Sequence, residues 1–285
     1  MQASRLQTFT STVTCARGNA HEIIPVRLLS AAKYPNTSVC QRVLVGTRQK
    51  TKESADMRKL IIFDCDGVVI DSEIISARML IEELHLHDVE LNLDYVARHF
   101  LGRSYPIVLK QIRKDFGITL PDNFEADYRR RLLSAFERDL KVMPGIKEVV
   151  DRLAVPYCLA TSSSPERVRK SLYLTGMTDS FAGRISTASE VSRGKPAPDL
   201  FLHAAKKYDA EPAECLVIED SRAGIEAGLA AGMEVWHFTG GSHLKGRESN
   251  AGSRGHAHRR LAGFREFFQM APELFRETAP HLAKG

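Results

Sequence analysis

The stretch Lys59-Leu-Ile-Ile-Phe-Asp-Cys-Asp-Gly-Val-Val-Ile-Asp-Ser-Glu73 constrains the fold more than any other part of the chain. Leu60 to Phe63 is an unbroken apolar run, too short for a helix and ended by two acids and a glycine. It reads as a strand buried on both faces. Asp64 and Asp66 then stand at its carboxyl end, the edge where ligands bind in an open parallel sheet. Their i, i+2 spacing lets both approach one reacting group. Gly67 allows the backbone to turn away sharply. Taken alone, an Asp-x-Asp-Gly also fits an acidic turn or a calcium loop, so the rest of the chain has to decide.

After Ser72 the apolar period changes from strand to helix. Ile75, Met79, Ile81 and Leu84 mark one helix, and Tyr95 to Phe100, Ile107 to Phe116 and Phe124 to Phe136 mark three more. No strand pattern interrupts them. Residues 72–140 therefore read as an all-helical insertion, ending near Met143-Pro144-Gly145. Alternation of strand and helix resumes with Pro156 to Thr161, a buried strand, followed by Ser164-Pro165-Glu166, which supplies a helix cap, a first-turn proline and an acid. Cys215 to Glu219 forms another strand ending in acids, and Glu234 to Phe238 reads as the last. Residues 240–263 read as a polar, glycine-rich loop in which His256 and His258 belong to no ligand cluster.

With 43% apolar and 26% charged residues over 285 positions, the chain can bury a large core, and no apolar run reaches the length of a membrane helix. Five widely spaced cysteines without a Cys-x-x-Cys fit reduced thiols of a cytoplasmic protein better than disulfides or zinc. The net charge of +5 suggests a nucleic-acid or membrane surface until its distribution is considered. Residues 1–56 hold eight basic and three acidic residues, so the remainder is neutral, which argues against both partners. That Ser/Thr-rich arm has no sustained periodicity. It reads as sequence upstream of a natural start at Met57, with a disordered tail or a targeting peptide as alternatives.

In a parallel sheet, Asp64 with Asp66, Thr161, Lys195 and Glu219 with Asp220 are expected to cluster at one carboxyl edge. Each has a mundane explanation: Thr161 a helix cap, Lys195-Pro196 a turn, Glu219 and Asp220 acids at a helix start. Four in this order, each near a strand end, point to one site.

With these motifs, Phe63-Asp-Cys-Asp-Gly-Val-Val-Ile-Asp-Ser-Glu73, Leu159-Ala-Thr-Ser162, Gly194-Lys-Pro-Ala-Pro-Asp199 and Val217-Ile-Glu-Asp-Ser-Arg-Ala-Gly224, the chain resembles the haloacid dehalogenase superfamily. Within it, the likeness is to the sugar-phosphatase and β-phosphoglucomutase-like branch, from Met57 to about Phe275. The resemblance implies a Rossmann-like α/β core (57–71 and 141–285) of parallel strands flanked by helices, with residues 72–140 as a helical cap. It implies a Mg²⁺-dependent phosphatase acting on a phosphomonoester such as a sugar phosphate, or a phosphorylated sugar acid of the 6-phosphogluconate kind. Asp64 is then the nucleophile that becomes an aspartyl-phosphate, and Asp66 the acid and base. Asp64, the Asp66 carbonyl, Glu219 and Asp220 are the implied metal site; Thr161, Ser162 and Lys195 hold the phosphoryl group. The cap loop places Arg103 and Ser104 as substrate contacts, and the protein is expected to be a monomer or weak homodimer.

Departures from the mutase pattern also show. Tyr105 stands where the mutase has the arginine that grips a second phosphate, and Ser76 where it has a histidine. A phosphomutase is thus the first alternative. A non-catalytic regulator binding phosphorylated metabolites is the second, although none of the family's catalytic residues is missing. A dehalogenase proper needs neither Asp66 nor the Glu219-Asp220 pair.

Overall fold

The computed structural model describes residues 58–245 and 257–276; the arm at 1–56 and the expectations attached to it lie outside these residues. Six parallel strands form the sheet: β1 (Leu60–Phe63), β2 (Tyr157–Thr161), β3 (Ile185–Thr187), β4 (Cys215–Glu219), β5 (Glu234–Phe238) and β6 (Arg259–Leu261). Their spatial order is β3-β2-β1-β4-β5-β6. The chain fills one half of the sheet outward from β1 and then crosses to β4, so the switch point lies between β1 and β4, where a ligand crevice opens at the carboxyl ends.

Side-chain alternation along β1 explains its continuous hydrophobicity. Ile61 and Phe63 pack into one cluster with Leu159, Ile218, Trp236 and Phe264, while Leu60 and Ile62 pack into another with Ala160, Val217, Phe201 and Ala204. Both faces are covered by helices, so neither register of the strand tolerates a polar residue before Asp64.

Between β1 and β2 lie α1 (Glu73–His85), α2 (Leu93–His99), α3 (Tyr105–Phe116), α4 (Phe124–Asp139) and α5 (Ile146–Arg152). The first four share a hydrophobic cluster of their own, including Leu80, Leu84, Val96, Ile112, Phe124, Leu132 and Phe136. They form the inserted helical cap. Asn92 starts α2 by accepting from Tyr95 N at 2.8 Å, and Gly117 ends α3 in the left-handed region. The chain leaves and re-enters the core side by side: Asp71 N donates to Lys141 O and Met143 N to Val69 O. The remaining helices are α6 (Pro165–Leu174), α7 (Thr178–Phe181), α8 (Asp199–Lys207), α9 (Arg222–Ala230) and α10 (Phe264–Met270).

Two strands escaped the sequence reading. β3 has three residues and no alternation, and β6 lies inside the segment 240–263 read as a loop. In β6 only Leu261 is buried, and its pairing with β5 is what makes it a strand. The rest of that segment's centre, residues 246–256, is outside the described residues. His258 is structural, accepting from Val235 N at 3.0 Å. Cys65, Cys158 and Cys215 are buried free thiols, and among the described residues no helix is long and apolar enough to cross a membrane.

Candidate active site

Asp64 and Asp66 follow β1, and Glu219 and Asp220 end β4, so the switch point brings four acids together. The turn that carries them needs Gly67: φ is +82°, and a Cβ there would lie 1.9 Å from Asp220 Oδ2. Oxygens of Asp64, Glu219 and Asp220 lie within 4.8 Å of one another, all buried. Lys195, itself fully buried, reaches between two of them, 2.7 Å from Asp64 Oδ1 and 2.9 Å from Glu219 Oε1. Ser221 N fixes the other Glu219 oxygen at 2.6 Å, and His243 Nε2 lies 2.9 Å from Asp220 Oδ2.

One lysine does not balance three carboxylates. Burial pushes the Asp64 carboxyl well above its ordinary range, Lys195 opposes this, and Glu219, Asp220 and Asp66 reinforce it. Asp220 is raised in the same way by burial and by Glu219. Burial works against the Lys195 charge, but Asp64 and Glu219 outweigh it and raise its pKa. Among the described residues, no hydrogen-bond donor reaches the buried Asp220 Oδ1. An oxygen-only cluster with surplus negative charge and an unsatisfied lone pair fits a small hard divalent cation such as Mg²⁺.

Asp66 is treated differently. Its carboxylate points away from that cluster and accepts from Ser72 Oγ at 2.6 Å, Ser163 Oγ at 2.6 Å and Arg167 at 2.7 Å. Burial alone would raise its pKa, but Arg167 and the two hydroxyls outweigh burial and hold the carboxyl below its usual range.

Above these residues a cavity of about 640 Å³ opens between sheet edge and cap. Asp64, Asp66 and Ser162 line it from the core side, and Arg103, Ser104, Tyr105 and Arg129 from the cap side. Arg103 and Ser104 thus face the same space as the two aspartates. Ser162 Oγ donates to Gly102 O at 2.9 Å, joining core loop and cap loop directly. Thr161 and Lys195 sit behind the cavity wall, with Thr161 Oγ1 accepting from Ser163 N at 3.0 Å. Tyr105 stacks on Tyr128 with ring centroids 5.7 Å apart, and the Arg129 guanidinium lies over its ring.

Glu73 is a further wall residue, with its carboxyl pushed up to about 8 by burial and by the nearby Asp66 and Asp220. Two polar partners of the site were not singled out in the sequence: Ser163 and Arg167. Ser163 sits inside a run of three serines, and Arg167 one helical turn past the Ser164 cap. Their only signal is that closeness to the Thr161 motif.

The sequence model of haloacid dehalogenase-like hydrolases matches residues 58–232. A 6-phosphogluconate phosphatase of Escherichia coli (strain K12) is 28% identical over 187 residues, which is 65% of this chain and 84% of the relative. Hexitol phosphatase A of the same organism is 34% identical over 191 residues, covering 62% of this chain and 81% of the relative. A HAD family hydrolase of Deinococcus radiodurans R1, solved with bound phosphate and sodium, superposes with a TM-score of 0.61 at 30% identity, covering 78% of this chain and 100% of that one. The chain belongs to the haloacid dehalogenase-like hydrolase family and is a phosphoric monoester hydrolase.

Proposed function

We propose that this hydrolase dephosphorylates a small sugar phosphate or a phosphorylated sugar acid of the 6-phosphogluconate kind, using Mg²⁺ and an aspartyl-phosphate on Asp64. The observation that carries this reading is the pairing of Asp64 and Asp66 on the floor of a cavity whose cap wall presents Arg103 and Arg129. The phosphatase relatives support it, one of them acting on 6-phosphogluconate.

Asp64, Glu219, Asp220 and the Asp66 backbone carbonyl are the groups that would hold the metal. When bound, Mg²⁺ supplies positive charge that relieves the repulsion between a carboxylate and a phosphate dianion. Asp64 attacks phosphorus: an O–P bond forms to its carboxylate while the ester O–P bond breaks, and the departing alkoxide takes a proton from Asp66. Asp66 then accepts a proton from water as the water oxygen attacks phosphorus and frees Asp64. Its two roles require two protonation states, and the donors around it favour the ionised one. Lys195 keeps Asp64 aligned and offsets part of the charge, and the Ser162 N–H and Thr161 serve the phosphoryl oxygens. Residues 57–71 and 141–285 act as the catalytic core and 72–140 as the substrate-selecting cap, hinged at the paired crossings Asp71 and Lys141. Arg103 reads an anionic group of the substrate, with Ser104 beside it.

The test is release of inorganic phosphate from a panel of phosphorylated sugars and sugar acids, with Mg²⁺ and with a chelator. Turnover lost on chelation and in Asp64→Asn is the expected result. Turnover that appears only with a sugar bisphosphate activator would instead make the enzyme a phosphomutase.

A further inference from the structure

Among the site's neighbours, Arg167 is bound in a way that stability alone does not explain. It lies on α6, outside the motifs, yet its Nη2 is 2.7 Å from Asp66 Oδ1 and 2.9 Å from Ser76 Oγ. Its guanidinium rests against the Phe136 ring of the cap helix α4, 5.3 Å from the centroid. Among the described residues, the buried Nε atom has no acceptor. Leaving a buried guanidinium donor unsatisfied is costly, and such exceptions in a well-packed interior call for a reason.

The reason is visible at Asp66. Three donors from three elements surround its carboxylate: Ser72 at the start of α1, Ser163 in the loop after β2, and Arg167 on α6. The hydroxyls are short and can rotate, whereas a planar guanidinium braced on an aromatic ring cannot. Arg167 is therefore the rigid member of the set. Because its brace, Phe136, and its second acceptor, Ser76, both belong to the inserted helices, the orientation of Asp66 is tied to where those helices sit.

We propose that Arg167 is the positioning residue for Asp66, fixing its carboxylate at the cavity wall where it exchanges a proton with the leaving group and with water. This rests on the phosphatase reading given above. Arg167 acts through Asp66 and does not bind the substrate.

A double-mutant cycle on the full-length chain with Mg²⁺ tests it, reading kcat and KM on a sugar phosphate and on p-nitrophenyl phosphate. Arg167→Met should lower kcat on the sugar phosphate by roughly 10- to 100-fold, the usual cost of a misplaced catalytic group. The aryl ester, whose leaving group needs little protonation, should lose much less, and KM should hardly change. Arg167→Lys should recover part of the loss. In an Asp66→Asn background, Arg167→Met should add little, because the group it positions is gone. If Arg167→Met fails to fold, Ser163→Ala removes another donor from the same carboxylate and should give the same selective loss. Equal losses on both esters in the single-turnover formation of the aspartyl-phosphate, the step that depends on the leaving group, would overturn the inference as a mere structural effect. A loss confined to KM, or one that persists undiminished beside Asp66→Asn, would overturn it in favour of direct substrate binding. Wild-type and Asp64→Asn controls separate the two levels: an inactive wild type or an active Asp64→Asn would sink the phosphatase reading itself, and this inference with it.

Discussion

Asp64 and Asp66 carry the same side chain two residues apart in opposite surroundings. Asp64 shares a buried pocket with Glu219 and Asp220 and one lysine, while Asp66 is clasped by an arginine and two hydroxyls. Their substitutions should therefore differ in kind. Asp64→Asn should abolish turnover on every ester. Asp66→Asn should depress sugar phosphates far more than p-nitrophenyl phosphate, general acid catalysis being worth about 10²- to 10⁴-fold; the ratio of kcat values on the two esters measures it. Lys195 bridges Asp64 and Glu219, so Lys195→Met leaves two buried carboxylates without it. A loss of about 3–5 kcal/mol, read by urea denaturation in the absence of metal, is expected. Glu73 adds a pH dependence. Its carboxyl is raised to about 8 in the fold, so the stability it contributes is complete below the unfolded value near 4.5 and is lost as pH rises through 8. Glu73→Gln should flatten the decline of the melting temperature between pH 5 and 8.5, measured in a chelator. Asp64, Asp66, Glu219 and Asp220 were legible because each stands at a strand end, and Lys195 because it sits in the motif Gly194-Lys-Pro-Ala-Pro-Asp199. Arg167 and Ser163 were not, because their partner at Asp66 is about a hundred residues away in sequence and only the fold brings them to it.

At the scale of elements, the site depends on how closely α9 approaches β4. Ser221 caps α9 by accepting from Gly224 N at 3.1 Å, and a Cβ on Gly224 would stand 1.6 Å from Glu219 Oε1. The acid bonded to Lys195 and the helix start thus occupy the same space, and only a residue without a side chain fits between them. Gly224→Ala should cost roughly 1–3 kcal/mol as overpacking and should lower kcat, because Glu219 must move away from Lys195. Thermal melts and initial rates check the two effects together. Gly224, Ala227 and Gly228 of α9 are visible in the sequence as a stripe of small residues suited to close packing. That the stripe presses on a site carboxylate is not, since a stripe of this kind serves any helix packed on a sheet. The strands tell a similar story. β1, β2 and β4 declared themselves by four or five consecutive buried residues and β5 by Val235, Trp236 and Phe238, whereas β3 and β6 offer three residues each and owe their existence to the strands beside them.

For the molecule as a whole, metal binding and stability are one equilibrium. A cation that occupies the acid cluster only in the folded state stabilises it by about 2.7 kcal/mol at a hundred times its dissociation constant. Mg²⁺ should accordingly raise the melting temperature of the wild type, and Asp220→Asn, which replaces the carboxylate whose Oδ1 has no donor among the described residues, should lose most of that rise. The local sequence was enough to determine that a buried strand ends in two aspartates, that helices interrupt the α/β alternation after Ser72, and which acids stand at another strand end. These follow from side-chain period and chain turning, which act over a few residues. Tertiary structure alone decided that β1 and β4 are neighbours at the switch point, that one lysine faces three carboxylates, and that Asp66 turns from them toward Arg167. Those outcomes depend on which elements pack together and on the charge balance of a buried space, and no stretch of sequence contains either by itself.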